Sequence, residues 1–114
     1  ILLAAFMLAS CATPDSAVAP IVSAADMQSL QHRIAFQYGE ILRWEQAAER
    51  AKLFNKESVY VKDNIQVART TLDRARAAAG QNTPLGQNHA LNLLEVSQIQ
   101  LGQTQTYLLS KGIK

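Results

Sequence analysis

Apolar residues recur along most of the chain at alternating intervals of three and four, which places them on one face of an α-helix. In the first such segment, Tyr38 and Leu42 lie beside the main stripe and widen it, which is typical of a helix packed in a bundle. Ser23 and Asp26 have the spacing of a capping box and predict the helix start. The stripe, with Gln37 as its one polar gap, consists of Met27, Leu30, Ile34, Ile41, Trp44, Ala48 and Ala51.

In the second segment the apolar stripe is displaced by one residue. Continuing the first repeat would place Lys62 and Arg69 in the core. Such a displacement indicates either a turn or a local change in helix winding. We favour a turn near residues Asn55 to Ser58, with one of these two side chains capping a second helix; the alternative is one bent helix over residues 24–79. The observed apolar positions are Val61, Ile65, Ala68, Leu72, Ala75 and Ala79.

The third segment begins at Thr83-Pro84, because Thr can cap a helix and Pro at the first helical position lacks only an N–H that would have no helical partner. Gly80, just before it, predicts the left-handed residue that ends the second helix. Between Ala77 and Ser110 only Glu95 is charged. Apolar residues on two sides predict that this helix packs between the other two or against a partner chain. One side carries Leu91, Leu94, Leu101 and Leu108, with Ala90, Ser97 and Thr104 beside them; the other carries Leu93, Val96 and Ile99.

These patterns predict an all-α fold, an antiparallel three-helix bundle behind a flexible tether. The predicted helical domain covers residues 23–114, with helices at about 24–55, 59–79 and 84–110. The alternative is a long bent helix with a folded-back second helix. Five Gly and three Pro among 114 residues agree with a mainly helical chain.

An apolar run from Ile1 ends at the only cysteine of the chain, Cys11. Leu8-Ala9-Ser10-Cys11 has a leucine three residues before the cysteine and two small residues between them. This arrangement resembles the lipobox of bacterial lipoprotein signal peptides. The resemblance implies that the Cys11 sulfur carries a diacylglycerol, that residues 1–10 are removed, and that the new amino group is acylated.

We expect residues 1–10 to be a truncated signal peptide, since they contain no basic leader. The alternative is that Cys11 ends a truncated transmembrane helix, although residues 1–12 fall short of the ~20 needed to span a bilayer. The small and proline-punctuated residues that follow Cys11, up to residue 22, predict a flexible linker. By the same resemblance, Ala12 rather than Asp after the cysteine implies the periplasmic face of the outer membrane.

Eleven Lys and Arg against nine Asp and Glu give a net charge of +2, which is too mild to indicate nucleic acid as a partner. His32 and His89 fall on different predicted helices, and neither has a Cys or a second His at ligand spacing, so no metal site is predicted. The sequence has no Gly-rich phosphate loop, Gly-x-Ser-x-Gly or His-Glu-x-x-His. We therefore expect neither an enzyme nor a cofactor.

Two surfaces are candidates for binding. Lys62, Arg69 and Arg76 recur every seven residues and form one stripe that suits an anionic surface. An ordinary salt-bridged face is the alternative for this stripe, because acidic residues interrupt it. Val96 and Ile99 exceed what one bundle stripe needs, which predicts a surface for self-association or for a protein partner. Their alternative is a wide groove between the first two helices that covers them.

The expected function is that of a structural or interaction module of the bacterial cell envelope, lipid-anchored and facing the periplasm. One alternative is a periplasmic binding or stress-sensing module for a metal or small ligand. This alternative rests on residues 83–87 of the chain, which resemble the Leu-Thr-x-x-Gln motif of helical-hairpin periplasmic stress adaptors. Another is an envelope tether linked to the cell wall through Lys114, since the chain resembles the major murein lipoprotein in its anchor, helicity and last residue.

Overall fold

A computed structural model describes residues 23–113, which form three α-helices. Helix α1 spans Ala24–Ala51, α2 spans Asn55–Ala79 and α3 spans Pro84–Ser110. The three helices pack against one another, and no strand occurs between residues 23 and 113. The predicted all-α three-helix bundle is therefore confirmed. Cys11, the predicted linker and Lys114 lie outside the described residues.

Helix α2 runs antiparallel to both of its neighbours. Tyr38 of α1 bonds Asp73, whereas Glu45, further along α1, pairs with Arg69. Residue numbers therefore rise along α1 as they fall along α2, which means that the two helices are antiparallel. On the other side, Ser97 of α3 bonds the backbone of α2 at Ala68, and Tyr107 reaches the first turn of α2. One helix thus organises the bundle, and the alternative of a single bent helix over 24–79 is wrong.

The core collects most of the predicted apolar stripes, although on α1 Ala47 is buried, whereas the predicted Ala48 is half-buried. On α1, Gln37 is buried within its stripe, and Tyr38 packs against the core from the edge. Leu42 is 51% exposed, so the prediction that it widens the stripe is wrong. It lies about 100° around the helix from buried Ile41, beyond the arc that α2 covers. All six predicted positions of α2 are buried: Val61, Ile65, Ala68, Leu72, Ala75 and Ala79.

The first turn lies at residues 52–54, earlier than the predicted 55–58, so α1 is shorter and α2 longer than expected. Lys52 ends α1 in the left-handed region with φ 54°, and Asn55 begins α2 with φ 52°. The predicted cap by Asn55 or Ser58 is wrong, because the cap residue is Phe54, which makes no side-chain bond. Leu53, in the middle of the turn, packs against the core. A tertiary contact rather than a polar cap therefore fixes the turn.

The other helix ends follow the sequence more closely. The Ser23 hydroxyl accepts from the Asp26 N–H at 3.1 Å, and the Thr83 hydroxyl accepts from the Gly86 N–H at 3.0 Å, as capping predicts. Gly80 was predicted to be left-handed, but its φ is −69°, in the right-handed region. Asn82 takes the left-handed conformation instead, with φ 54°, two residues closer to α3.

Of the two predictions for α3, packing between the other two helices is wrong, and packing against a partner chain stays a prediction. The backbones of α2 and α3 approach each other over the longest stretch, α1 contacts α2 less, and α1 contacts α3 least. The close approach follows from small buried residues on both sides, Ala68 and Ala75 on α2 with Ala90 and Ser97 on α3. We call this contact the small-residue seam.

Candidate functional site

A buried hydrogen-bond relay joins all three helices at the middle of the bundle. The Gln37 Nε2 atom donates to the Ser97 Oγ atom at 3.2 Å, and Ser97 Oγ donates to the backbone oxygen of Ala68 at 2.9 Å. Gln37 and Ser97 are both buried, so the relay satisfies polar groups that would otherwise be costly to bury. The relay fixes how the three helices are aligned along the bundle axis. Gln37, the one polar gap in the stripe of α1, is therefore part of the core.

The cationic stripe of α2 lies on the side that faces α1. Arg69 pairs with Glu45 at 2.9 Å, and Arg76 lies over the Tyr38 ring at 5.2 Å and 3.9 Å from Asp73. Burial, together with the hydrogen bond to Asp73, raises the pKa of Tyr38 to about 12. The structure therefore engages two of the three predicted anionic-surface residues in contacts within the bundle.

The third residue of that stripe, Lys62, lines a groove between the end of α1 and the start of α2. The groove has a volume of about 470 Å³, an apolar floor that includes Val61 and Ile65, and charges of both signs on its rim. A small ligand of the kind considered above could enter this groove. Across residues 23–113, no cluster of three or more His, Cys, Asp or Glu is arranged for a metal ion.

A polar cluster ties the end of α3 to the start of α2. The Glu57 carboxylate accepts from Lys111 Nζ at 2.6 Å and from the Tyr107 hydroxyl at 3.0 Å. The hydrogen bond from Lys111 is the main reason that the pKa of Glu57 lies below its usual range. The same hydrogen bond raises the pKa of Lys111. The Tyr107 ring meets the Tyr60 ring edge-on at 5.0 Å. These contacts show which stripes of α2 and α3 lie side by side.

The tyrosine pair marks an apolar surface that turns away from α1. Val67 is seven residues after Tyr60 on α2, and Leu93 is two heptads before Tyr107 on α3, so each shares a helix face with its tyrosine. Val96 lies three residues beyond Leu93 on the same side. We call this surface, formed by Tyr60, Val67, Leu93, Val96 and Tyr107, the open face.

The open face includes one of the two residues predicted to meet a partner. Val96 is 42% exposed and Ile99 is 60% exposed, so the groove expected as the alternative does not cover them. Ile99 lies further out on α3, at the margin of the open face. Sequence reasoning missed Tyr60 and Val67, which are 47% and 48% exposed. Their seven-residue spacing was visible, but only the fold shows that it continues the surface of α3.

None of the described helices combines the length and apolarity needed to cross a bilayer. No known protein family, curated protein or solved structure matches this chain.

Proposed function

We propose that this chain is a lipid-anchored helical interaction module of the bacterial cell envelope. Acylated Cys11 holds it at the periplasmic face of the outer membrane, and the bundle presents its open face to a protein partner. The observation that carries the anchor is Leu8-Ala9-Ser10-Cys11 at the end of a short apolar run. An acyl chain contributes about 0.8 kcal/mol for each CH₂ group that it buries, so triacylation makes attachment essentially permanent.

The character of the bundle supports an interaction role. Four charged residues of α2 are held in contacts within the bundle: Glu57, Arg69, Asp73 and Arg76. The open face leaves apolar side chains in water beside a helix whose only charged residue between positions 84 and 110 is Glu95. Such a surface loses little charge hydration on contact, which suits it to binding a protein.

The anchor is tested by metabolic labelling with a fatty acid in a Gram-negative host, with a start codon and basic leader supplied. We expect the natural chain to incorporate the label and to be shortened by loss of residues 1–10. Cys11→Ser removes the acylated sulfur and should stay unlabelled and unprocessed. Ser10→Gly is the matched control, because it keeps a small residue before the cysteine and should be labelled normally. Label in Cys11→Ser, or none in the natural chain, contradicts the anchor.

A further inference from the structure

The hairpin of α2 and α3 has two grooves, and α1 fills only one of them. On the filled side, α1 brings large residues such as Ile41 and Trp44 against the hairpin. The other side is the open face, whose five apolar residues are exposed or half-buried. Polar residues share this side of α3, since His89 and Gln103 lie seven residues on either side of Val96. Four-helix bundles pack two such pairs of helices face to face.

The centre of the open face lies at a level that the buried relay fixes. Because Ser97 bonds the backbone oxygen of Ala68, these two residues are level across the hairpin. Val67 and Val96 each stand one residue from that level, so two apolar side chains of the face lie at its middle. A two-fold axis that lies in the plane of the contact at this level, perpendicular to the helices, brings two copies face to face. It places each helix antiparallel to its own counterpart in the second copy.

Two charges of α2 lie at nearly equal distances from the same level. Asp63 is four residues before Val67 and Arg74 is seven after it, so helix periodicity places both near its side of α2, and Asp63 also lines the groove between α1 and α2. Asp63 lies five residues before Ala68 and Arg74 six residues after it, which is about 8 Å on either side. Both are exposed, and neither forms a salt bridge with any residue between 23 and 113. A face with opposite charges at equal distances from its centre is complementary to itself under a two-fold rotation.

We propose that the open face is the contact surface of a homodimer of this chain. In the dimer, two α2–α3 hairpins pack face to face, the Val96 side chains of both copies meet near the two-fold axis, and Asp63 of each copy faces Arg74 of the other. The inference rests on the proposed interaction function, for which it names the partner as a second copy. It does not rest on the anchor, because the face is complete within residues 23–113.

Charge reversal tests the pairing in the purified full chain, by sedimentation equilibrium in a density-matched detergent. We expect the natural chain to be dimeric at about 100 μM. Asp63→Arg alone and Arg74→Asp alone each create two like-charge contacts in the dimer, so each should raise the dissociation constant at least about tenfold. The double variant exchanges the two charges and should return to within about threefold of the natural chain.

The controls separate pairing from folding and from the anchor. Glu95→Lys reverses a charge on the outer side of α3, away from the open face, and should leave the dissociation constant unchanged. Circular dichroism of every variant should match the natural chain in helical content. A natural chain that stays monomeric at about 100 μM, or a double variant no tighter than the single ones, overturns the proposal. Neither result alters the fatty-acid labelling that tests the anchor.

Discussion

Helices α1 and α3 are both packed on α2, but by different means. The small-residue seam between α2 and α3 brings two backbones together through alanine and serine. A Cβ added at Gly86 of α3 would stand 2.8 Å from the Ala78 carbonyl oxygen, which shows how close they are. Helix α1 stands further off, packing through Ile41 and Trp44 and through side-chain bonds such as that of Glu45 with Arg69.

The difference teaches which kind of change each contact tolerates. A contact made by large side chains loses stability when a side chain is shortened, because a cavity remains. A contact made by small side chains has no cavity to open, but it has no room for added atoms either. The polar bonds that cross the bundle add to both contacts, and they contribute less than either kind of packing.

The largest effect should come from shortening a large residue of α1. Ile41 is almost fully buried, so Ile41→Ala should lower the free energy of unfolding by about 2–5 kcal/mol. The neighbouring Leu42→Ala is the matched control and should cost no more than about 0.5 kcal/mol, since that side chain is largely exposed. Urea unfolding followed by circular dichroism measures both. Equal losses would mean that α1 is not packed as described.

A smaller destabilisation should come from the opposite kind of change, enlarging a residue of the small-residue seam. Ala75 is fully buried and level with Ala90, because Ser97 and Ala68 lie one heptad away on each helix. Ala75→Leu should therefore destabilise by about 1–3 kcal/mol through overpacking. Ala77→Leu makes the same change at an exposed position of α2 and should be nearly neutral. A stabilised Ala75→Leu variant would show that the seam is looser than the alanines indicate.

The smallest effect should distinguish two buried hydroxyls of α3. Ser97→Ala removes the acceptor of Gln37 Nε2 and should cost about 1 kcal/mol. Thr104 is equally buried, but its hydroxyl has no hydrogen-bond partner among the described residues, so Thr104→Val should cost no more than about 0.5 kcal/mol. Thermal and urea unfolding of both variants provide the comparison. If Thr104→Val proves the costlier change, the relay is not what holds α1 to the seam.

Much of this fold was present in local sequence patterns. The stripe that begins at Val61 predicted six of the eight buried positions of α2, because a helix repeats its faces every few residues whatever it packs against. It missed Thr71 and Ala78. Ser23 and Thr83 predicted helix starts, since a cap needs only a side chain and the backbone beside it. These features require no knowledge of the other helices.

The candidate surfaces were only half predictable. Val96 was selected as surplus to one stripe, and it is exposed, but Tyr60 and Val67 of the same surface were not selected. The cationic residue Arg69 was selected for an outward stripe, yet it is half-buried and pairs with Glu45 of α1. In both cases periodicity showed which residues share a face of one helix, and it held no information on which neighbour that face meets.

The sequence by itself determined the all-α class, most of the buried face of α2 and the start of each outer helix. Only the tertiary structure decided that the first turn lies at residues 52–54, that α2 rather than α3 touches both neighbours most extensively, and that one side of the hairpin stays open. The physical reason is range. Capping and periodicity act within a few residues, whereas Leu53 in the core and Gln37 on Ser97 join residues that only folding brings together.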